Sequence, residues 1–132
     1  MATDAAADLI RPVAGQLAAY NARDIDEFMR WWAPDCRYWA FPDTLLAEGA
    51  EAIRARHVER FRESNLHGRL LSRSVVGDLV IDHETVTRTF PEGDGEIDVV
   101  CLYRVGDGLI AEAWVKAGAP RLAEPGREAP AR

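Results

Sequence analysis

The chain has 132 residues, 48% of them hydrophobic and 29% charged, the make-up of one globular domain able to bury a core of its own. Its formal net charge of -6 argues against a nucleic-acid or anionic membrane partner, and no apolar run approaches the roughly 20 residues of a membrane helix. Met1-Ala2-Thr3-Asp4 lacks the basic start and apolar core of a secretory signal. Cys36 and Cys101 lie far apart with no metal-like spacing, so a cytoplasmic protein with reduced thiols and neither metal nor cofactor is expected.

Leu9, Val13, Leu17 and Tyr20 recur at three- and four-residue steps and predict a first helix, for which Asp4 is a candidate cap. Pro12 conflicts with it, because a proline inside a helix costs about 3 kcal/mol. A start near Arg11, with the preceding residues as a looser arm, resolves the conflict. Asp24, with Glu27 three residues on, caps a second, shorter helix whose apolar face is Phe28, Trp31 and Trp32, and Pro34 ends it. The aromatic run from Cys36 to Phe41 reads as a strand. Gly49 opens a third helix to about Ser64, with Ile53, His57, Val58 and Phe61 on one side. The arginines at 54, 56, 60 and 62 wind around this helix rather than stacking on one face, and read as a solvated surface, not an anion site. Four strands follow, Arg69–Val76, Leu79–Phe90, Glu96–Val105 and Leu109–Lys116, separated by short glycine-bearing turns that imply antiparallel neighbours. Beyond Gly118 periodicity stops, so the domain is set at 1–118 and a disordered tail at 119–132.

The order of these elements, together with Tyr20-Asn21-Ala22-Arg23-Asp24-Ile25-Asp26, Ala33-Pro34-Asp35, Glu48-Gly49-Ala50-Glu51-Ala52-Ile53, Val80-Ile81-Asp82-His83-Glu84 and Asp107-Gly108-Leu109-Ile110 with Trp114, resembles the SnoaL-like and ketosteroid-isomerase-like proteins of the nuclear transport factor 2-like superfamily. The resemblance spans roughly Val13 to Lys116. It implies a cone-shaped, cystatin-like α+β fold: a curved antiparallel sheet packed against three helices and enclosing one pocket. Carried over residue by residue, the isomerase base falls on Ala40 or Phe41, its tyrosine on Gln16 and its sheet aspartate on Cys101. The cyclase aspartate falls on Val115. None of these can shuttle a proton as the family's acids do, so the fold transfers and the isomerase mechanism does not.

The candidates that remain are read from the residues. His57 lies on the apolar stripe of the third helix, where the resemblance places a supporting pocket tyrosine, and imidazole suits acid-base work near neutral pH. Asp82 and Glu84 share one face of their strand and His83 the other. Val80 and Val86 argue for Glu84 inward, whereas Leu79 and Ile81 argue for His83. His57, Glu84 and His83 are thus the candidate catalytic residues. Gln16, Tyr20, Trp32, Trp39, Phe61, Cys101 and Trp114 are the candidate substrate contacts, since flat rings suit a flat apolar ligand.

Two readings of function follow. One is a cofactor-independent isomerase, dehydratase or cyclase that transfers protons on a small apolar molecule. The other is a ligand-binding or dimerisation module without catalysis. A homodimer through the outer face of the sheet is expected, because Ile97-Asp98-Val99-Val100-Cys101-Leu102 is apolar on both faces and helices can cover only one.

Overall fold

Alanine, the best helix former, recurs throughout the first segment and outweighs one proline. In the computed structural model, which describes residues 2–123 and side chains from Ala5 onward, α1 runs unbroken over Ala2–Ala22. The expected late start at Arg11 is therefore corrected. Pro12 stands within the helix with its ring fully buried, so packing offsets the lost backbone bond.

The hinge after α1 is a hydrogen-bonded junction. The Asn21 amide donates to the Gly68 carbonyl at 2.9 Å and accepts from the Gly68 N–H at 2.7 Å. Arg23, at φ +53°, reaches the Leu66 carbonyl at 3.2 Å. Asp24 caps α2 (Ile25–Met29) by accepting from the Glu27 N–H at 3.1 Å. This helix is shorter than expected. Trp31 lies in the following turn, its indole against Gly15 where a side chain would clash. Trp32 already opens β1 (Trp32–Ala40), and Pro34 lies inside that strand where its pairing is irregular, as a residue without an N–H requires.

Next comes β2 (Thr44–Glu48), which the sequence reading did not separate from its surroundings, and then α3 (Ala50–Arg60). Strands β3 (His67–Val76), β4 (Leu79–Phe90), β5 (Gly93–Gly106) and β6 (Leu109–Ala117) follow close to the expected ranges. The turn between β5 and β6 is Asp107-Gly108, both at positive φ, the two-residue geometry that suits the twist of a hairpin. Arg121–Leu122, inside the stretch expected to be tail, form β7 beside Gly95 and Glu96; 124–132 lie outside the described residues.

The strands make one curved, open sheet in the order β2-β1-β6-β5-β4-β3, with β7 on β5. Every pairing is antiparallel except β1 with β6. Side chains alternate across it. The inner face, with Val80, Tyr103, Val105, Ile110 and Ala113, packs on Val13, Phe28 and Ile53 of the helices. The other face carries Trp39 opposite Trp114, and Trp114 opposite Leu102. No helix among the described residues is long and apolar enough to cross a membrane.

Candidate functional site

The inner face of the sheet and the helices leave a cavity of about 240 Å³ between them. Leu17, Val86, Ile97, Val99 and Val115 supply apolar wall, and Gln16, Tyr20, Tyr38, His57, Glu84 and Tyr103 supply the polar atoms. The cavity volume falls somewhat below the ~300–1,000 Å³ of ordinary ligand pockets.

Register places Glu84. Asp82 and Glu84 face inward, at 0% and 5% exposure, and His83 is exposed on the opposite face. What fixes this register is non-local: Asp82 lies opposite Arg73 on β3 and takes two hydrogen bonds from its guanidinium, at 2.7 and 2.9 Å. Burial and the Asp82 charge push the Glu84 carboxyl up to about 7, against a smaller opposing pull from Arg73. Its Oε2 is buried without a hydrogen-bond partner. Gly68 makes room beside it, since a Cβ there would stand 3.1 Å from Oε1. A buried carboxyl that titrates near neutrality with a free oxygen is equipped to give or take a proton.

His57 comes from the inner side of α3 and is enclosed by rings, with Phe28 at 4.6 Å, Tyr38 at 5.6 Å and Phe61 at 6.1 Å between centroids. Burial lowers its pKa to about 4, with Arg60 and Arg56 adding to the effect, so it is neutral at pH 7. Its Nδ1 lies 2.9 Å from the Ile53 carbonyl and must carry the hydrogen, which leaves Nε2 as an acceptor. Because the Ile53 carbonyl keeps its helical bond from the His57 backbone, His57→Phe is expected to shift stability at pH 8 by no more than about 1 kcal/mol. A large drop in a urea melt would show that the imidazole holds the helix in place.

Burial also raises the phenols, Tyr20 to about 12 and Tyr38 and Tyr103 well above the usual phenol range, and all three are protonated hydrogen-bond donors at neutral pH. Gln16 Nε2 donates to the Tyr103 hydroxyl at 3.3 Å and to the Val13 carbonyl at 3.2 Å. Cys101 also lines the cavity, its thiol pushed up chiefly by burial and then by the Glu84 charge.

Of the expected site residues, His57, Glu84, Gln16, Tyr20, Trp32 and Cys101 therefore meet at one cavity. Four do not. His83 and the pair Trp39 and Trp114 lie on the far face of the sheet, because alternation gives the inward position on β1 to Tyr38. Trp39 instead donates to Glu112 at 2.7 Å. Phe61 follows the last turn of α3 and backs Tyr20 edge-on at 5.5 Å rather than lining the space. The expectation that the α3 arginines are only solvated surface is corrected as well. Arg56 and Arg60 line the cavity together with Arg88 of β4. Helical spacing held the signal, as Arg56 follows Ile53 by three residues and Arg60 follows His57 by three. No group of three or more His, Cys, Asp or Glu that could hold a metal lies among the described residues.

A curved α+β sheet closed by helices over such a cavity is the architecture of the nuclear transport factor 2-like superfamily. The chain belongs to the SnoaL-like domain family, whose model matches residues 13–113. No curated protein matches it in sequence. Among solved structures it is similar to an uncharacterized cystatin-fold protein from Novosphingobium aromaticivorans, at 24% identity and a TM-score of 0.75 over 81% of this chain and 96% of that one. It is also similar to an LEH-like epoxide hydrolase of M. tuberculosis, at 16% identity and 0.72 over 85% and 84%. A third is a protein with a ketosteroid isomerase-like fold from Catenulispora acidiphila in complex with trimethylamine, at 16% identity and 0.69 over 79% and 82%. At these identities the likeness is one of fold.

Proposed function

We propose that the cavity takes up a small, largely apolar molecule and moves a proton on it without a cofactor, as an isomerase, dehydratase or cyclase would. The observation that carries this reading is Glu84: buried, held near pKa 7, and with Oε2 left unpartnered. Glu84 is the acid-base group and His57 Nε2 a neutral acceptor lining the same cavity. The Tyr20 and Tyr103 hydroxyls are donors for negative charge that develops on a substrate oxygen. Proton transfer can be tested before any product is known, by following deuterium uptake from D2O at the α-carbon of small cyclic ketones and enones by NMR. The wild-type chain should catalyse exchange in at least one of them and Glu84→Gln should not. Equal exchange by both proteins across the panel would overturn the assignment. Binding without exchange would favour the non-catalytic module.

We also infer a homodimer through the outer face of the sheet, where Trp39, Trp114 and Leu102 lie half-buried and, among the described residues, no helix covers them. Leu102→Glu places a charge at the centre of that face and should give a monomer by light scattering. A wild-type monomer mass at micromolar concentration would refute the dimer.

A further inference from the structure

The arginines that line the cavity share too few carboxylates. Arg88 gives two hydrogen bonds to Glu63, at 3.2 and 2.8 Å, and Arg60 approaches the same carboxylate at 3.6 Å. Arg56 lies over the Tyr38 ring at 5.4 Å and has no carboxylate partner among the described residues. Three guanidiniums are thus met by one carboxylate, in a chain whose net charge is -6. Glu84 is not their missing partner, since among the described residues it forms no ion pair or hydrogen bond with any of the three, and Arg60 and Arg88 turn to Glu63 instead.

The placement is also directional. Arg56 is exposed and Arg60 and Arg88 are half-buried, whereas Gln16, His57 and Glu84 are buried, so the arginines mark the side where the cavity meets solvent. Glu84, Val86 and Arg88 follow one another along one face of β4, which at ~3.3 Å per residue separates the Glu84 and Arg88 backbones by about 13 Å. Arg56 and Arg60 are neighbours one turn apart on α3, close enough for both to address one group.

We propose that the ligand is a small ring-bearing carboxylate, with its anionic end held by Arg56 and Arg60 beside Arg88 at the mouth and its apolar body directed inward toward Glu84. Guanidinium pairs the planar carboxylate through two parallel hydrogen bonds, and the apolar walls accept the remainder. This rests on the cavity being a ligand site and adds the class of ligand to that reading.

The test compares phenylacetate with phenylacetamide, nearly the same shape with and without the charge, by calorimetric or NMR titration at low salt. The wild-type chain should bind phenylacetate about tenfold more tightly or better, as charge-assisted hydrogen bonds are roughly twice as strong as neutral ones. In Arg56→Gln/Arg60→Gln the ratio should fall to about one through loss of the acid's affinity, with the amide's unchanged. Arg56→Gln alone, at an exposed position, should lower the ratio partway if the double variant does not fold. Arg54→Gln removes the same charge from the same helix at a residue paired to Asp26, and should leave the ratio unaltered. Equal wild-type binding of acid and amide would overturn the anion preference while leaving the cavity as a ligand site. A ratio lowered as much by Arg54→Gln would reduce the effect to overall charge and overturn it too. Binding of neither compound would overturn both this inference and the pocket reading beneath it.

Discussion

Glu84→Gln is expected to lose about 10²–10⁴ in the rate of any proton transfer the cavity performs, and to gain stability at alkaline pH. Folding raises this carboxyl from 4.5 to about 7, so between those values the folded chain keeps a proton that the unfolded chain has released. The contribution of Glu84 to stability is whole below pH 4.5 and is lost as pH rises through 7. The loss is on the order of 3 kcal/mol at about 1.36 kcal/mol per pH unit. The amide cannot ionise and escapes it. His57 has the opposite sign. Its pKa falls from 6.5 to about 4, so its contribution is present above pH 6.5 and lost as pH drops toward 4.

Over the shared interval the two slopes oppose each other. Between pH 4.5 and 6.5 the folded chain holds a proton on Glu84 and none on His57, and the unfolded chain holds the reverse. These two groups therefore leave the wild-type stability nearly level there. Glu84→Gln should uncover the His57 slope, with stability rising with pH, and His57→Phe the Glu84 slope, with stability falling. Urea melts of the three proteins across this interval and at pH 8 test the pair of assignments. Parallel pH curves for all three would contradict them.

The second large effect lies behind Glu84. Asp82→Asn removes a fully buried charge and leaves the Arg73 guanidinium, whose side chain is 16% exposed, without its partner. Breaking a buried pair from one side costs about 3–5 kcal/mol, and the partial exposure of Arg73 places this case near 3. The double variant Arg73→Met/Asp82→Leu, which removes both charges, should recover most of that loss. In Asp82→Asn the Glu84 carboxyl also loses a repelling charge and keeps the Arg73 attraction, so its pKa should fall. A change under about 0.5 kcal/mol in the urea-derived stability of Asp82→Asn would show that the pair is not coupled to the fold.

The fold was legible because its signals are local. Asp107-Gly108 announces a hairpin, Asp24 a helix start, and the four strand lengths follow from the turns between them. The late start expected for α1 weighed Pro12 alone and not its alanine-rich surroundings or the burial of its ring. The inward residue of Asp82-His83-Glu84 stayed open because β4 carries apolar residues on both faces. Arg73, which decides it, belongs to the neighbouring strand. The same ambiguity put Trp39 and Trp114 in the cavity, although alternation from Tyr38 places them outside. His57 was readable from its helical stripe, whereas Arg56 and Arg60 were hidden by their likeness to ordinary surface charge and Arg88 by its distance along the chain. The partner of a buried charge is the part of a site that a linear pattern does not display.

The acid-base role proposed for Glu84 requires a buried carboxyl poised near neutrality. The most direct measurement is the pH titration of its side-chain carboxyl carbon by ¹³C NMR, with the resonance assigned by its disappearance in Glu84→Gln. A midpoint near 7 is predicted from its burial and the Asp82 charge. A midpoint near 4.5 would mean that water reaches the carboxylate freely, and would contradict the account.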